Sequence, residues 1–244
     1  MRVAAAPVML CSRYVITLFK IPGWSRAPMM DKHDGIEAGD FASWLDNAIA
    51  TLQGRSFSDV PCGDCRGCCR SAYFIHVRPT DKAALSVLPK AMLSPAPGWP
   101  AGHRLIGYDR HGACPMLKPA GCSIYAQRPR TCRDYDCRVF VAAGIEAEAD
   151  KAEINRRIRA WRFTFANESD QRVLEAIRAA ASFLRDKRHA FPGGRAPSAP
   201  SDIAVMAIKV YPVFLGPNLA DKADTEIATE IIARSRVFDA DCIA

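Results

Sequence analysis

The sequence predicts an α-rich α+β fold: a small cysteine-rich metal-binding core with short strands, packed with N- and C-terminal helices. Three observations predict it. Eight of the ten cysteines crowd between Cys62 and Cys137. Apolar residues recur at helical spacing on both sides of that segment. The segment itself is cut by Gly and Pro into pieces that suit only short strands, turns and short helices.

The first helix is expected after Asp40, a capping residue, because Phe41, Trp44, Leu45, Ala48, Ile49 and Leu52 form one apolar stripe. Gly54 ends it. The loop from Pro61 to Cys69 follows, and Ala72–Val77 reads as a short strand. Thr80 is the expected cap of a short helix over 81–88. Pro89–Pro100 holds four prolines and one glycine, so an extended insertion is predicted there. Arg104–Tyr108 reads as a strand, the Asp109–Gly112 turn presents Cys114, and the Lys118–Gly121 turn presents Cys122. Pro129 suits the first turn of a helix carrying Cys132 and extending toward Cys137.

Residues 40–140 are therefore expected to form the cysteine-cluster domain, and 145–190 a helical extension. In that extension Ile154, Ile158, Trp161 and Phe165 make one stripe, and Val173, Leu174, Ile177, Phe183 and Leu184 another. Pro, Gly and Ser mark 191–201 as a linker, and 202–244 as a tail with a final helix from about Asp224. Residues 1–30 have no settled reading. Arg2, Arg13, Lys20 and Arg26 with no acid before Asp31 suit a transit peptide, while Met29 or Met30 would serve equally as the start. Pro7 and the lack of a small-residue cleavage site argue against export.

A chain of 244 residues, 49% hydrophobic, can bury a sizeable core without staples, so the cysteines need another reason. Secreted frameworks spread cysteines along the chain; clustering favours metal in a reducing, cytoplasmic setting. Cys62-x2-Cys65-x2-Cys68 sets three thiols on consecutive turns, close enough to converge on one centre. Cys69 follows directly, and because neighbouring side chains diverge, the Cys68–Cys69 pair suits sharing between two centres. Cys114, Cys122, Cys132 and Cys137 supply a second set. Eight thiolates fit two four-cysteine zinc sites, two iron-sulfur clusters, or one cluster with reserve thiols. Cys11 and Cys242 read as bystanders, and His76, His103 and His111 as ordinary satisfied side chains.

The net charge of +7 would ordinarily suggest nucleic acid. Here Arg66, Arg70, Arg128, Arg130, Arg133 and Arg138 each lie within a few residues of a cysteine, where a guanidinium can offset thiolate charge. Aromatic residues are not interleaved with the basic ones as a stacking surface would require, which argues against a nucleic-acid partner. No run of about 20 apolar residues is present to span a bilayer. Dinucleotide, phosphate-loop and nucleophile-elbow motifs are absent, so any catalysis would rest on a metal or bound cofactor.

Cys62-Gly63-Asp64-Cys65-Arg66-Gly67-Cys68-Cys69, then Cys114-Pro115-Met116-Leu117, Cys122-Ser123-Ile124-Tyr125, Arg128-Pro129 and Thr131-Cys132-Arg133, closing at Cys137, resemble the YkgJ-type cysteine-cluster family, a zinc- or iron-chelating domain with a CxxCxxCC signature. The resemblance spans roughly residues 60 to 140. It implies metal binding by the matched cysteines. A related cluster in flagellin lysine methylases implies a modification chemistry as one use of such a centre. Two functions follow: an iron-sulfur or other metal protein that is redox-active or supports modification, and a non-enzymatic zinc module that binds a protein partner.

Overall fold

Asp40 caps the first helix as its position demands: its carboxylate accepts from the Ser43 N–H at 2.9 Å and the Ser43 hydroxyl at 2.7 Å. The computed structural model describes residues 35–58, 60–216 and 218–242. In chain order it runs β1 (Ile36–Asp40), α1 (Phe41–Leu52), β2 (Ile75–Val77), α2 (Lys82–Val87), β3 (Leu93–Pro95), β4 (Arg104–Ile106), β5 (Leu117–Lys118) and β6 (Gly121–Cys122). There follow α3 (Arg130–Asp134), α4 (Arg138–Ala143), α5 (Ala152–Ala160), β7 (Trp161–Thr164), α6 (Glu168–Asp186), α7 (Pro200–Val210) and α8 (Asp224–Ala240). This is the predicted α-rich α+β class. The leader at 1–30 and Cys11 lie outside the described residues.

The chain divides into two compact units. One comprises Ser58–Asp136 and Ala149–Arg157 and holds seven of the clustered cysteines. The other holds the described residues before Ser58, Cys137–Glu148, and Ile158 onward.

In the second unit, β1 and β7 pair in parallel, Ile36 opposite Trp161 and Asp40 opposite Thr164, with a bulge between Glu37 and Gly39. The expected helix through Ile154, Ile158, Trp161 and Phe165 thus stops at Ala160. The reason lies in the next four residues. Trp161 is buried, Arg162 exposed, Phe163 half-buried and Thr164 exposed, a period of two that a strand satisfies. Phe163 meets Phe41 edge-on at 5.5 Å and Trp44 at 4.7 Å. Helices α4, α6 and α7 pack on one another, and α8 packs on α7. Pro200 opens α7 at its first turn, so the Pro-rich 191–201 stretch connects two helices of the same unit.

The cysteine-rich unit is built on a three-stranded antiparallel sheet, order β2-β4-β3. The Pro-rich insertion is therefore not wholly irregular: Leu93 and Pro95 pair with Ile106 and Arg104. Its core is Val77, Ala84, Leu88, Ile106, Met116 and Ile124, with Cys114 and Cys122 packed against it. His76, fully buried, shares a 2.7 Å hydrogen bond with His103 and lies against Trp99, ring centroids 4.3 Å apart. Burial, with His103 and Arg78 nearby, lowers its pKa to about 4, so it is a neutral packing residue.

Thr80 does not cap α2. Asp81 occupies that position, and its carboxylate accepts instead from the Arg78 N–H at 2.8 Å and the Arg130 N–H at 2.9 Å. One buried carboxylate thereby ties the end of β2 to the start of the helix that carries Cys132. Asp81→Ala should destabilise this unit by about 2–3 kcal/mol, because two backbone donors lose a charged acceptor. Asp81→Asn, which keeps one acceptor oxygen, should cost less, as read by denaturant unfolding.

Candidate metal centre

Backbone hydrogen bonds fold the first cysteine loop into successive tight turns. The Cys65 N–H donates to the Cys62 carbonyl at 2.9 Å, and the Cys69 N–H to the Arg66 carbonyl at 3.0 Å. A 3-10 turn over Gly67–Arg70 carries Cys68 and Cys69. The second half is then laced to the first: Cys114 N–H donates to the Cys69 carbonyl at 2.8 Å, and Ala72 N–H to the Gly112 carbonyl at 2.9 Å. Ala72 is left-handed, with φ +53, an uncommon state for a residue with a Cβ. Gly112, at φ +77, faces it so closely that a Cβ there would sit 3.3 Å from the Ala72 Cβ.

Cys122 ends the two-residue ribbon β5–β6, opposite Leu117, which sets it beside the Cys114 turn. Backbone N–H groups of Met116 and Leu117 donate toward the Cys114 sulfur, and that of Ile124 toward the Cys122 sulfur. Such amides favour the thiolate over the thiol. They are what a metal-bound cysteine uses to spread its charge.

The thiols also act on one another. Burial pushes Cys62, Cys114 and Cys122 up, and in Cys62 the neighbouring Cys65 adds to it while Arg157 opposes. Cys132 is driven far up by burial, with Cys69, Cys114 and Cys122 as further contributors. Cys68 and Cys69 are hydrogen-bonded side chain to side chain; the bond raises Cys68 and lowers Cys69 to about 7, with Arg66 and Arg128 helping the latter. Cys68 is exposed as a residue, and its bond to Cys69 is the largest cause of its shift. Cys69 is the hub, within electrostatic reach of Cys68, Cys114, Cys122 and Cys132.

These seven thiols share one region without closing on a point: among the described residues, no three His, Cys, Asp or Glu side chains are grouped so as to hold an ion as they stand. Cys137 belongs to the other unit, where it precedes α4 and its sulfur accepts the Trp161 indole N–H at 3.2 Å. Cys242 also lies there, disulfide-bonded, its sulfur near the Leu52 and Phe238 carbonyls.

The arginines separate by role. Arg66 donates to the Gly63 and Cys65 carbonyls at 3.1 and 3.0 Å. Its guanidinium also lies against Gly121, where an added Cβ would come within 3.4 Å of it, and so Arg66 links the first loop to the Cys122 ribbon. Arg128 stacks on the Tyr125 ring at 3.8 Å. Arg130 instead grips Asp134 through Nε at 2.7 and 2.9 Å, Arg70 faces Glu153 at 3.8 Å, and Arg138 donates to the Ala38 carbonyl in the other unit. Arg157, from α5, donates to the Cys62 and Pro61 carbonyls at 2.9 and 3.2 Å. Sequence reading did not single it out, since no spacing signal connects it to a cysteine about a hundred residues earlier.

Residues 61–157 match the family model CxxCxxCC, described as "Putative zinc- or iron-chelating domain". This stretch is similar to the CxxCxxCC family. The match covers less than half of the chain, and neither a curated protein nor a solved structure matches it. The CxxCxxCC stretch begins beside Cys62 and ends at Arg157, the residue whose guanidinium holds the Cys62 carbonyl. It contains all eight of the clustered cysteines.

The thiol order generates a direct expectation for the metal-free protein. Under limiting iodoacetamide near neutral pH, Cys69 should be alkylated first and Cys132 last, as read by peptide mass spectrometry. Only the thiolate reacts, so the Cys69 rate should fall as pH drops below about 7 and level off above it. The Cys132 rate should still be rising in alkaline buffer.

Proposed function

We propose that the CxxCxxCC domain holds zinc or an iron-sulfur cluster through thiolates drawn from Cys62, Cys65, Cys68, Cys69, Cys114, Cys122, Cys132 and Cys137. The observation that carries this reading is the meeting of thiols from four separate loops around Cys69, some already faced by backbone N–H groups. Burying so many thiols together gains little for neutral side chains, whereas a divalent metal replaces their protons and takes the charge. Seven of them lie in the cysteine-rich unit, where the Cys114 N–H to Cys69 carbonyl bond ties the two halves of the set together. In this reading the centre supports redox or modification chemistry, with the arginines tuning it by charge and by hydrogen bonds to sulfur.

A structural zinc module is the second reading, favoured by the small core of the cysteine-rich unit. A core of about six apolar side chains is thin support for a unit of this size, and metal-binding free energy is also folding free energy. Anaerobic purification with elemental analysis separates the two. Iron with acid-labile sulfide and a brown sample supports the cluster; zinc alone in a colourless sample supports the module.

Cys69→Ser should remove most of the bound metal under either reading, and Cys242→Ser should leave metal content unchanged. Chelation should lower hydrogen-exchange protection across 61–136 while leaving that of α6 and α7 unchanged. A chain that stays metal-free and keeps full protection in the cysteine segment would overturn the proposal.

A further inference from the structure

Arg128 is built into the site in a way that packing alone does not explain. Its backbone is extended, at φ −56 and ψ 147, as the buried Pro129 behind it requires. The side chain is fixed at its far end by the Tyr125 ring, 3.8 Å from the guanidinium carbon. Yet its Nε is buried and, among the described residues, has no hydrogen-bond partner, a costly state for a charged group's donor. The same guanidinium lies within electrostatic reach of Cys62, Cys69, Cys122 and Cys132, which come from both halves of the cysteine set. A rigid, pre-stacked cation with a spare buried N–H among four thiols suits one partner class: an anionic sulfur.

We propose that Arg128 is a positioning residue of the metal centre: its Nε–H donates to a ligand thiolate and its charge offsets the excess negative charge of the thiolate-bound metal, while Tyr125 holds it in place. The inference rests on the thiolate-centre reading above. Arg128 makes no bond to the metal. It lowers the cost of gathering several thiolates in one small volume and leaves the ligand count unchanged.

The test is zinc affinity of the full chain, measured by competition with a chromophoric chelator, beside denaturant unfolding of the metal-free protein. Arg128→Gln should weaken zinc binding by about 10- to 100-fold with the metal-free stability unchanged. Arg128→Lys, which keeps the charge but loses the planar fork and its stacking, should recover part of that loss. Tyr125 is exposed, so Tyr125→Leu carries little folding risk; by freeing the guanidinium it should weaken zinc binding several-fold, roughly as loss of a cation–π contact does. Zinc affinity within twofold of wild type in both Arg128→Gln and Tyr125→Leu overturns the proposal, and so does a loss of affinity matched by an equal loss of metal-free stability. Failure of the wild-type protein to bind zinc or iron would instead remove the reading of the whole site, and this inference with it.

Discussion

The cysteine-rich unit is governed by the cost of gathering thiols in a small volume. A buried thiol resists ionisation, and each further thiolate nearby raises the cost of the next. The structure meets this cost with local devices. Amides of Met116, Leu117 and Ile124 face two sulfurs, Cys68 shares its proton with Cys69, and Arg66, Arg128 and Arg157 bring positive charge to the loops. Strands of two or three residues and single-turn helices suffice in such a unit, because their task is to aim loops. The Cys114 N–H to Cys69 carbonyl bond and the two-armed Asp81 carboxylate do much of that aiming.

The contrast with the second unit follows from the same physics. There α4, α6 and α7 bury wide apolar faces, and Phe41, Trp44 and Phe163 close an aromatic cluster over the β1–β7 pair. Hydrophobic burial accounts for its order without further help. The cysteine-rich unit has fewer large side chains to bury, and its buried polar residues are correspondingly important. His76 is neutral against His103 and Trp99, and Asp134, whose pKa burial raises, is held by Arg130 and approached by Arg78 at 3.9 Å. Asp134 is therefore an anchor for α3.

What could be read from the sequence was local. The Cys62–Cys69 spacing, the Asp40 cap and the 3.6-residue stripes of α1 and α6 each lie within a window of a dozen residues, and each appears where expected. What could not be read was non-local. Strand β7 hides inside a helical stripe because Trp161 continues the rhythm of Ile154 and Ile158; only its partner β1, more than a hundred residues away, draws it into a strand. The insertion strand β3 was masked in the same way, since its prolines argue for irregular chain until β4 is beside it. Asp81 looked like part of a helix start and instead spans two elements, and Arg157 reaches the first loop only because α5 begins in the cysteine-rich unit.

Cys137 shows how little spacing says about the surroundings of a thiol. Five residues after Cys132 it looks like the last member of a set, yet the chain crosses between units at that step. Its sulfur accepts the indole N–H of Trp161, a donor that would serve a bound thiolate and a neutral buried thiol alike. The other seven thiols differ from it in one physical respect: each lies in a loop or short element of the cysteine-rich unit, and those loops are tied to one another by backbone hydrogen bonds or by Asp81. Shared backbone restraint brings side chains to a common centre more strictly than sequence spacing does. The seven share that restraint, and the Cys114 N–H to Cys69 carbonyl bond joins their two halves.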